Sequence, residues 1–130
     1  MKVNARSSPL LGSRGEDAAV SYLQKRGYTV LVRNFRTKGG EVDIIANVKG
    51  TLVFVEVKTR SSSRFGFPEE AVSSTKRHRI ALAARRYLFA AHISPQTYIR
   101  FDIVALCRNA KTGTDDIVHI ENIDIGEEVF

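Results

Sequence analysis

Cysteine is nearly missing from this 130-residue chain, with Cys107 the only one. A lone cysteine excludes an intrachain disulfide and a Cys/His zinc framework. It also points to a reducing compartment, so a cytoplasmic location is expected. Long apolar runs are missing too. The longest candidate, Ile80 to Ala91, is interrupted by Arg85 and Arg86, and a span needs roughly 20 apolar residues. The basic N-terminus is followed by no apolar stretch, so it does not read as a secretory signal. Internal repeats and interdomain linkers are absent. Transmembrane, secreted-disulfide and zinc-finger classes fall away, and no membrane partner is expected.

What remains is an ordinary globular composition, 43% hydrophobic and 26% charged. A chain of this length buries a core without staples. Residues 1–11 are polar, contain Pro9 and read as a flexible tail; residues 12–130 read as one domain. Charge is unevenly spread. The stretch from Lys2 to Lys111 carries all 20 bases against 8 acids, a net of +12, and the last 19 residues carry 6 acids and no base. A basic body with an acidic end suits a polyanion, because cations displace counterions from phosphates. The same charges also serve merely to solvate a surface.

Hydrophobic periodicity predicts seven elements. Ser13–Arg26 reads as a helix with Gly27 as its stop. Tyr28–Phe35 reads as a strand, followed by a flexible basic turn from Arg36 to Gly40. Glu41–Val48 and Thr51–Arg60 alternate as strands around Lys49-Gly50. Arg60–Pro68 reads as a loop, and Ser73 or Ser74 as the cap of a helix reaching about Ala91. Tyr98–Cys107 and Ile117–Ile125 complete the set as strands. The order α-β-β-β-α-β-β implies an α/β fold, a mixed sheet flanked by helices.

The hairpin register carries the chemistry. With Lys49-Gly50 as the loop, Val48 opposes Thr51, Asp43 opposes Glu56 and Glu41 opposes Lys58. Alternation puts Val42, Ile44, Ala46, Val53, Val55 and Val57 on one apolar face. Glu41, Asp43, Ile45, Phe54, Glu56 and Lys58 share the other. Two carboxylates facing each other destabilise a sheet unless a proton or a cation joins them. A divalent ion resolves the conflict, since hard cations take oxygen ligands, and Lys58 lands beside it. These are parts for metal-assisted phosphodiester hydrolysis. The rival reading is a solvated charged end in which Lys58 pairs with Glu41 and Glu56.

Glu41-Val42-Asp43 followed by Phe54-Val55-Glu56-Val57-Lys58 resembles the active-site signature of the PD-(D/E)-x-K nucleases, the restriction-endonuclease-like superfamily. Val42 stands where that name has proline. More closely, the chain resembles the YraN-type family of small bacterial proteins. The stretches that carry this are Gly15–Ala19, Arg33–Arg36, Gly40–Ala46, Val53–Arg60 and Arg100–Val104. Within the superfamily the arrangement is most similar to archaeal-type Holliday-junction resolvases. The resemblance implies a restriction-endonuclease-like αβββαβ core and Mg²⁺- or Mn²⁺-dependent endonuclease cleavage of DNA, branched or structured DNA foremost. It implies Asp43 and Glu56 as metal ligands with the Val57 carbonyl, Lys58 as catalytic lysine, and Glu16 as an acid on the first helix near the metal. The alternative on the same fold is a non-catalytic nucleic-acid-binding accessory module.

Other residues have two readings each. Ser13-Arg14-Gly15-Glu16 fits a capping box, giving Glu16 a local role as well. Arg36, Lys38, Arg60 and Arg64 flank the charged end and suit a nucleic-acid backbone; the resemblance implies DNA ahead of RNA. Lys76, near its helix start, reaches toward a phosphate; Arg85 and Arg86 read as solvated. Phe65 and Phe67 pack their loop or stack on bases. His78, His92 and His119 share no ligand spacing. Symmetric cutting of two strands calls for a homodimer. An acidic end able to fold over its own basic surface predicts that removing residues after Ile120 raises DNA affinity.

Overall fold

The structure is a computed structural model that describes residues 11–60 and 72–130. Residues 1–10 and the loop with Arg64, Phe65 and Phe67 lie outside the described residues. Helix α1 is Leu11–Lys25, followed by strands β1 (Thr29–Thr37), β2 (Gly40–Val48) and β3 (Thr51–Arg60). Helix α2 (Ser74–Ala90) leads to β4 (Ile99–Arg108) and β5 (Asp115–Ile120). The order matches the one expected. The sheet runs β1-β2-β3-β4-β5, with β3 and β4 parallel across α2 and every other pair antiparallel.

Both faces of the sheet are buried, which makes a three-layer α/β domain. Ile44, Ala46, Val53 and Val55 pack with Ala19 and Leu23 of α1. Ile45, Leu52, Phe54 and Phe101 pack with Ile80, Ala84 and Leu88 of α2. No helix among the described residues is long and apolar enough to cross a membrane.

Local chemistry sets the element ends. Gly27 takes φ +92°; its N–H donates to Gln24 O, and Tyr28 N–H donates to Leu23 O at 3.0 Å. That double bond is the Schellman stop, which a glycine satisfies without strain. Ser73 caps α2 by accepting from Lys76 N–H at 3.2 Å.

Three expectations are corrected. Helix α1 already includes Leu11, so Ser13 stands inside it rather than at the N-cap position of a box with Glu16. The turn before β2 is a tight link in which Thr37 pairs with Gly40 and Gly39 sits at φ +79°. It is held against α2: a Cβ on Gly40 would stand 2.8 Å from the backbone of both Arg79 and Ala83. Strand β5 stops at Ile120 rather than Ile125. Asn122 takes φ +60° and gives its N–H to Asp102 Oδ1 at 3.0 Å. The chain thereby leaves the ladder, and Ile123 and Ile125 enter the core beneath α2.

Candidate functional site

The hairpin keeps the expected register, from Val48↔Thr51 to Ile44↔Val55, and its ladder ends there. At the next level Asp43 uses its side chain instead: Val57 N–H donates to Asp43 Oδ2 at 2.8 Å. Strands β1 and β2 also turn over here. Val42 packs with the α2 cluster, although alternation would put it with Ile44 on the α1 side. Val32 and Phe35, three apart on β1, both pack toward α2 as well. Asn34 lies opposite Asp43 at φ +55°, where β1 makes the same reversal. The expectation of one apolar face running through Val42 is thus corrected: the opening of the ladder breaks the alternation.

The opening brings two acids together. The carboxyl groups of Asp43 and Glu56 lie close enough for each to shift the other's protonation. Glu56 is 3% exposed. Its Oε2 is 3.1 Å from Lys76 Nζ, and its Oε1 is buried and meets no hydrogen-bond donor among the described residues. Burial first, and then the Asp43 charge, push the Glu56 carboxyl up to about 8, with Lys76 pulling the other way. Burial also raises Asp43, against the opposite pull of the Val57 N–H, Glu56 and Lys76. Like charges this close hold a shared proton or a cation between them.

The cations that meet these acids come mainly from α2. Lys76 Nζ is also 3.4 Å from Glu41 Oε2. Burial alone would lower the Lys76 ammonium; Glu56, Asp43 and Glu41 outweigh it and raise it. Glu41 further draws Arg79 at 3.5 Å and Arg36 at 4.0 Å. Lys58 is half-buried and forms no ion pair among the described residues. The rival pairing of Lys58 with Glu41 and Glu56 is therefore not formed.

Glu16 reaches this end of the hairpin because α1 is pressed onto β3. A Cβ on Gly15 would stand 2.9 Å from the Thr59 side chain, next to Lys58. The Glu16 side chain is 14% exposed and 3.3 Å from Arg33. Burial and the nearby Asp43 raise its carboxyl, against Arg33. Arg36 is exposed and Lys38 lies exposed in the Lys38-Gly39 turn. The backbone of Arg60 continues β3 beside Cys107. Among the described residues, no three His, Cys, Asp or Glu side chains converge on one point. The donor set is the Asp43–Glu56 pair. That pair fits a divalent ion through the orphaned Glu56 Oε1 and through the Val57 carbonyl. A strand residue turns its N–H and its carbonyl to the same neighbour, so the Val57 carbonyl faces the opened gap beside Asp43.

Two groups escaped the sequence reading. Arg33 donates to Asp17 at 2.6 Å as well as to Glu16, and only the long-range approach of α1 to β1 reveals it. A second network centres on Asp102, whose side chain is fully buried. Asp102 accepts from Arg100 at 2.9 and 2.8 Å and bonds His119 Nε2 at 2.8 Å. Arg100 donates on to the Tyr28 hydroxyl at 2.6 Å, and Tyr22 meets His119 Nδ1 at 3.1 Å. Burial opposes the Asp102 charge, yet bonds from His119, Arg100 and Asn122 hold it below the usual carboxylate range. Only Arg100 and Asp102 are near in sequence; Tyr22, Tyr28, His119 and Asn122 join them through the fold.

A five-stranded mixed sheet between two helices, with a buried acidic couple where its central hairpin opens, defines a small three-layer α/β domain. The chain belongs to the uncharacterised protein family UPF0102, whose model matches residues 15–106. This is the YraN-type family that the sequence stretches suggest. A UPF0102 protein of Caldicellulosiruptor saccharolyticus is 46% identical over 112 residues, covering 86% of this chain and 94% of its own. One from Persephonella marina is 42% identical over 111 residues, covering 85% and 90%. One from Clostridium botulinum is 41% identical over 112 residues, covering 86% and 91%.

Proposed function

We propose that this protein is a divalent-metal-dependent endonuclease acting on DNA, with branched or structured DNA as the first substrate class. The observation that carries the reading is the buried Asp43–Glu56 couple with its orphaned Glu56 Oε1. The resemblance of Glu41–Asp43 and Phe54–Lys58 to the PD-(D/E)-x-K signature supports it. Asp43, Glu56 and the Val57 carbonyl would hold Mg²⁺ or Mn²⁺. Such an ion polarises a phosphoryl oxygen and makes a neighbouring water more acidic. Lys58, in no ion pair among the described residues, orients the attacking water or meets the charge that develops on the phosphate. Glu16 adds negative charge beside Asp43. Lys76, 3.1 Å from Glu56, would be released to a phosphate by an ion on Glu56, with Arg36, Lys38, Arg60 and Arg64 assigned to the nucleic-acid backbone. One site per chain cuts one strand, so paired cuts need two copies.

A second reading is a nucleic-acid-binding module without turnover, and Lys76 favours it: a cation from the protein itself already meets Glu56. A panel of linear, flapped and four-way DNA, with RNA, in Mg²⁺ or Mn²⁺ separates the two. The nuclease reading expects cleavage that Asp43→Ala abolishes and Lys58→Ala slows by about 100-fold or more. Salt-sensitive binding without cleavage, unchanged in both variants, overturns it in favour of the module.

A further inference from the structure

Far along α2 from Lys76 lies an open cleft of about 470 Å³, lined by Phe35, Thr37, Arg85, Arg86, Phe89 and Ala90. Its walls are apolar and its rim is cationic. Phe89 is 85% exposed, and no aromatic partner meets it among the described residues. A solvent-facing phenylalanine forgoes burial that the same position on a core face would give. Phe35 is fixed beneath the cleft, edge-on to Tyr87 with ring centres 5.5 Å apart. Arg86 is exposed and forms no ion pair among the described residues, whereas Arg85 gives one guanidinium nitrogen to Glu127 and the Glu128 carbonyl. Arg79 and Arg86 are seven residues apart, so they share one face of α2, two turns or about 10 Å apart. Lys76 starts that same cationic track at the acidic couple.

We infer that this cleft receives an unpaired nucleobase of the strand that the acidic site engages, with Phe89 as the stacking platform and Arg86 on the adjoining phosphate. An aromatic face beside an arginine on a cationic track is the chemistry that holds single-stranded nucleic acid, because every base has a π-face. A peptide would not use the track, and a base inside a duplex has both faces stacked on its neighbours. The inference rests on the nucleic-acid reading above and narrows its substrate to DNA with unpaired nucleotides near the cut.

The chain has no tryptophan, so Phe89→Trp introduces a single reporter. In EDTA, where nothing is cleaved, oligothymidylate should quench that tryptophan, and a blunt duplex of equal length should not. Phe89→Ala should weaken oligothymidylate binding about tenfold, leave duplex binding unchanged and leave Mn²⁺ uptake unchanged. The exposed position lets both variants fold, which thermal melts verify. Binding of oligothymidylate without quenching, and unaffected by Phe89→Ala, overturns the base site while the nucleic-acid reading stands. Loss of cleavage chemistry in the panel above, with quenching retained, overturns the nuclease and leaves the base site. Absence of any oligonucleotide binding overturns both. Concentration-dependent self-association of the wild type that Phe89→Ala abolishes, without quenching by DNA, makes the cleft an interface between copies and overturns the proposal.

Discussion

A buried carboxyl flanked by another acid can lower its energy by keeping a proton, and Glu56 is in that position. Its carboxyl is raised to about 8 by burial and then by Asp43, against an ordinary value near 4.5. An acid whose folded value is raised stabilises the fold fully below its unfolded value and loses that contribution as pH rises through the folded one. The metal-free wild type should therefore lose stability between about pH 4.5 and 8 through this group. Glu56→Gln, which keeps the shape and removes the titration, should flatten that loss, read as urea midpoints at pH 5.5, 7 and 8.5 on both proteins. Parallel pH curves for the two would show that Glu56 is not the strained acid. The closeness of Asp43 and Glu56 was legible from register alone, since a Lys49-Gly50 loop sets the two opposite each other. Lys76 was legible only as a cation near a helix start. Its grip on Glu41 and Glu56 depends on how α2 lies on the sheet, which periodicity does not encode.

At the scale of elements, the approach of α2 to β2 is set by a glycine. A methyl on Gly40 would meet two backbone atoms of α2 at 2.8 Å, and backbone cannot swing aside as a side chain can. Gly40→Ala should cost about 1–3 kcal/mol in urea unfolding. Gly15→Ala meets only the Thr59 side chain and should cost less. Equal costs, or a neutral Gly40→Ala, would contradict the tight seat of α2. All seven elements were readable from apolar spacing, the stop at Gly27 and the cap at Ser73. Two misreadings have backbone causes that the apolar pattern does not mark. Val42 was misassigned because the hairpin ladder opens at Asp43, whose side chain takes the Val57 N–H. The residues after Ile120 were misassigned because Asn122 adopts left-handed backbone and ends the strand.

For the molecule as a whole, charge is arranged with purpose around α2. The acidic end folds back on the basic helix: Glu127 meets His78 at 2.8 Å and Arg85 at 3.4 Å. The expectation that the tail covers basic surface thus has a specific contact, and the truncation test it suggested needs replacing. Ile123 and Ile125 are core residues, so removing everything after Ile120 would cut into the core as well as free the helix. Glu127→Gln isolates the charge. If Arg85 then takes a phosphate, the slope of log affinity for DNA against log salt should steepen by about 0.9, read by fluorescence anisotropy over a salt series. An unchanged slope and affinity would mean that this face of α2 lies off the nucleic-acid path. The uneven charge was plain in the sequence; which bases the acidic end would cover was not, because the pairing spans 42 to 49 residues.

The most direct measurement is calorimetric titration of Mn²⁺ into the protein with a bound oligonucleotide, on wild type and on Asp43→Asn, whose amide oxygen still accepts the Val57 N–H. Uptake by the wild type that disappears in Asp43→Asn is the predicted result. No uptake by either protein, or equal uptake by both, would contradict a divalent-ion site at the Asp43–Glu56 couple.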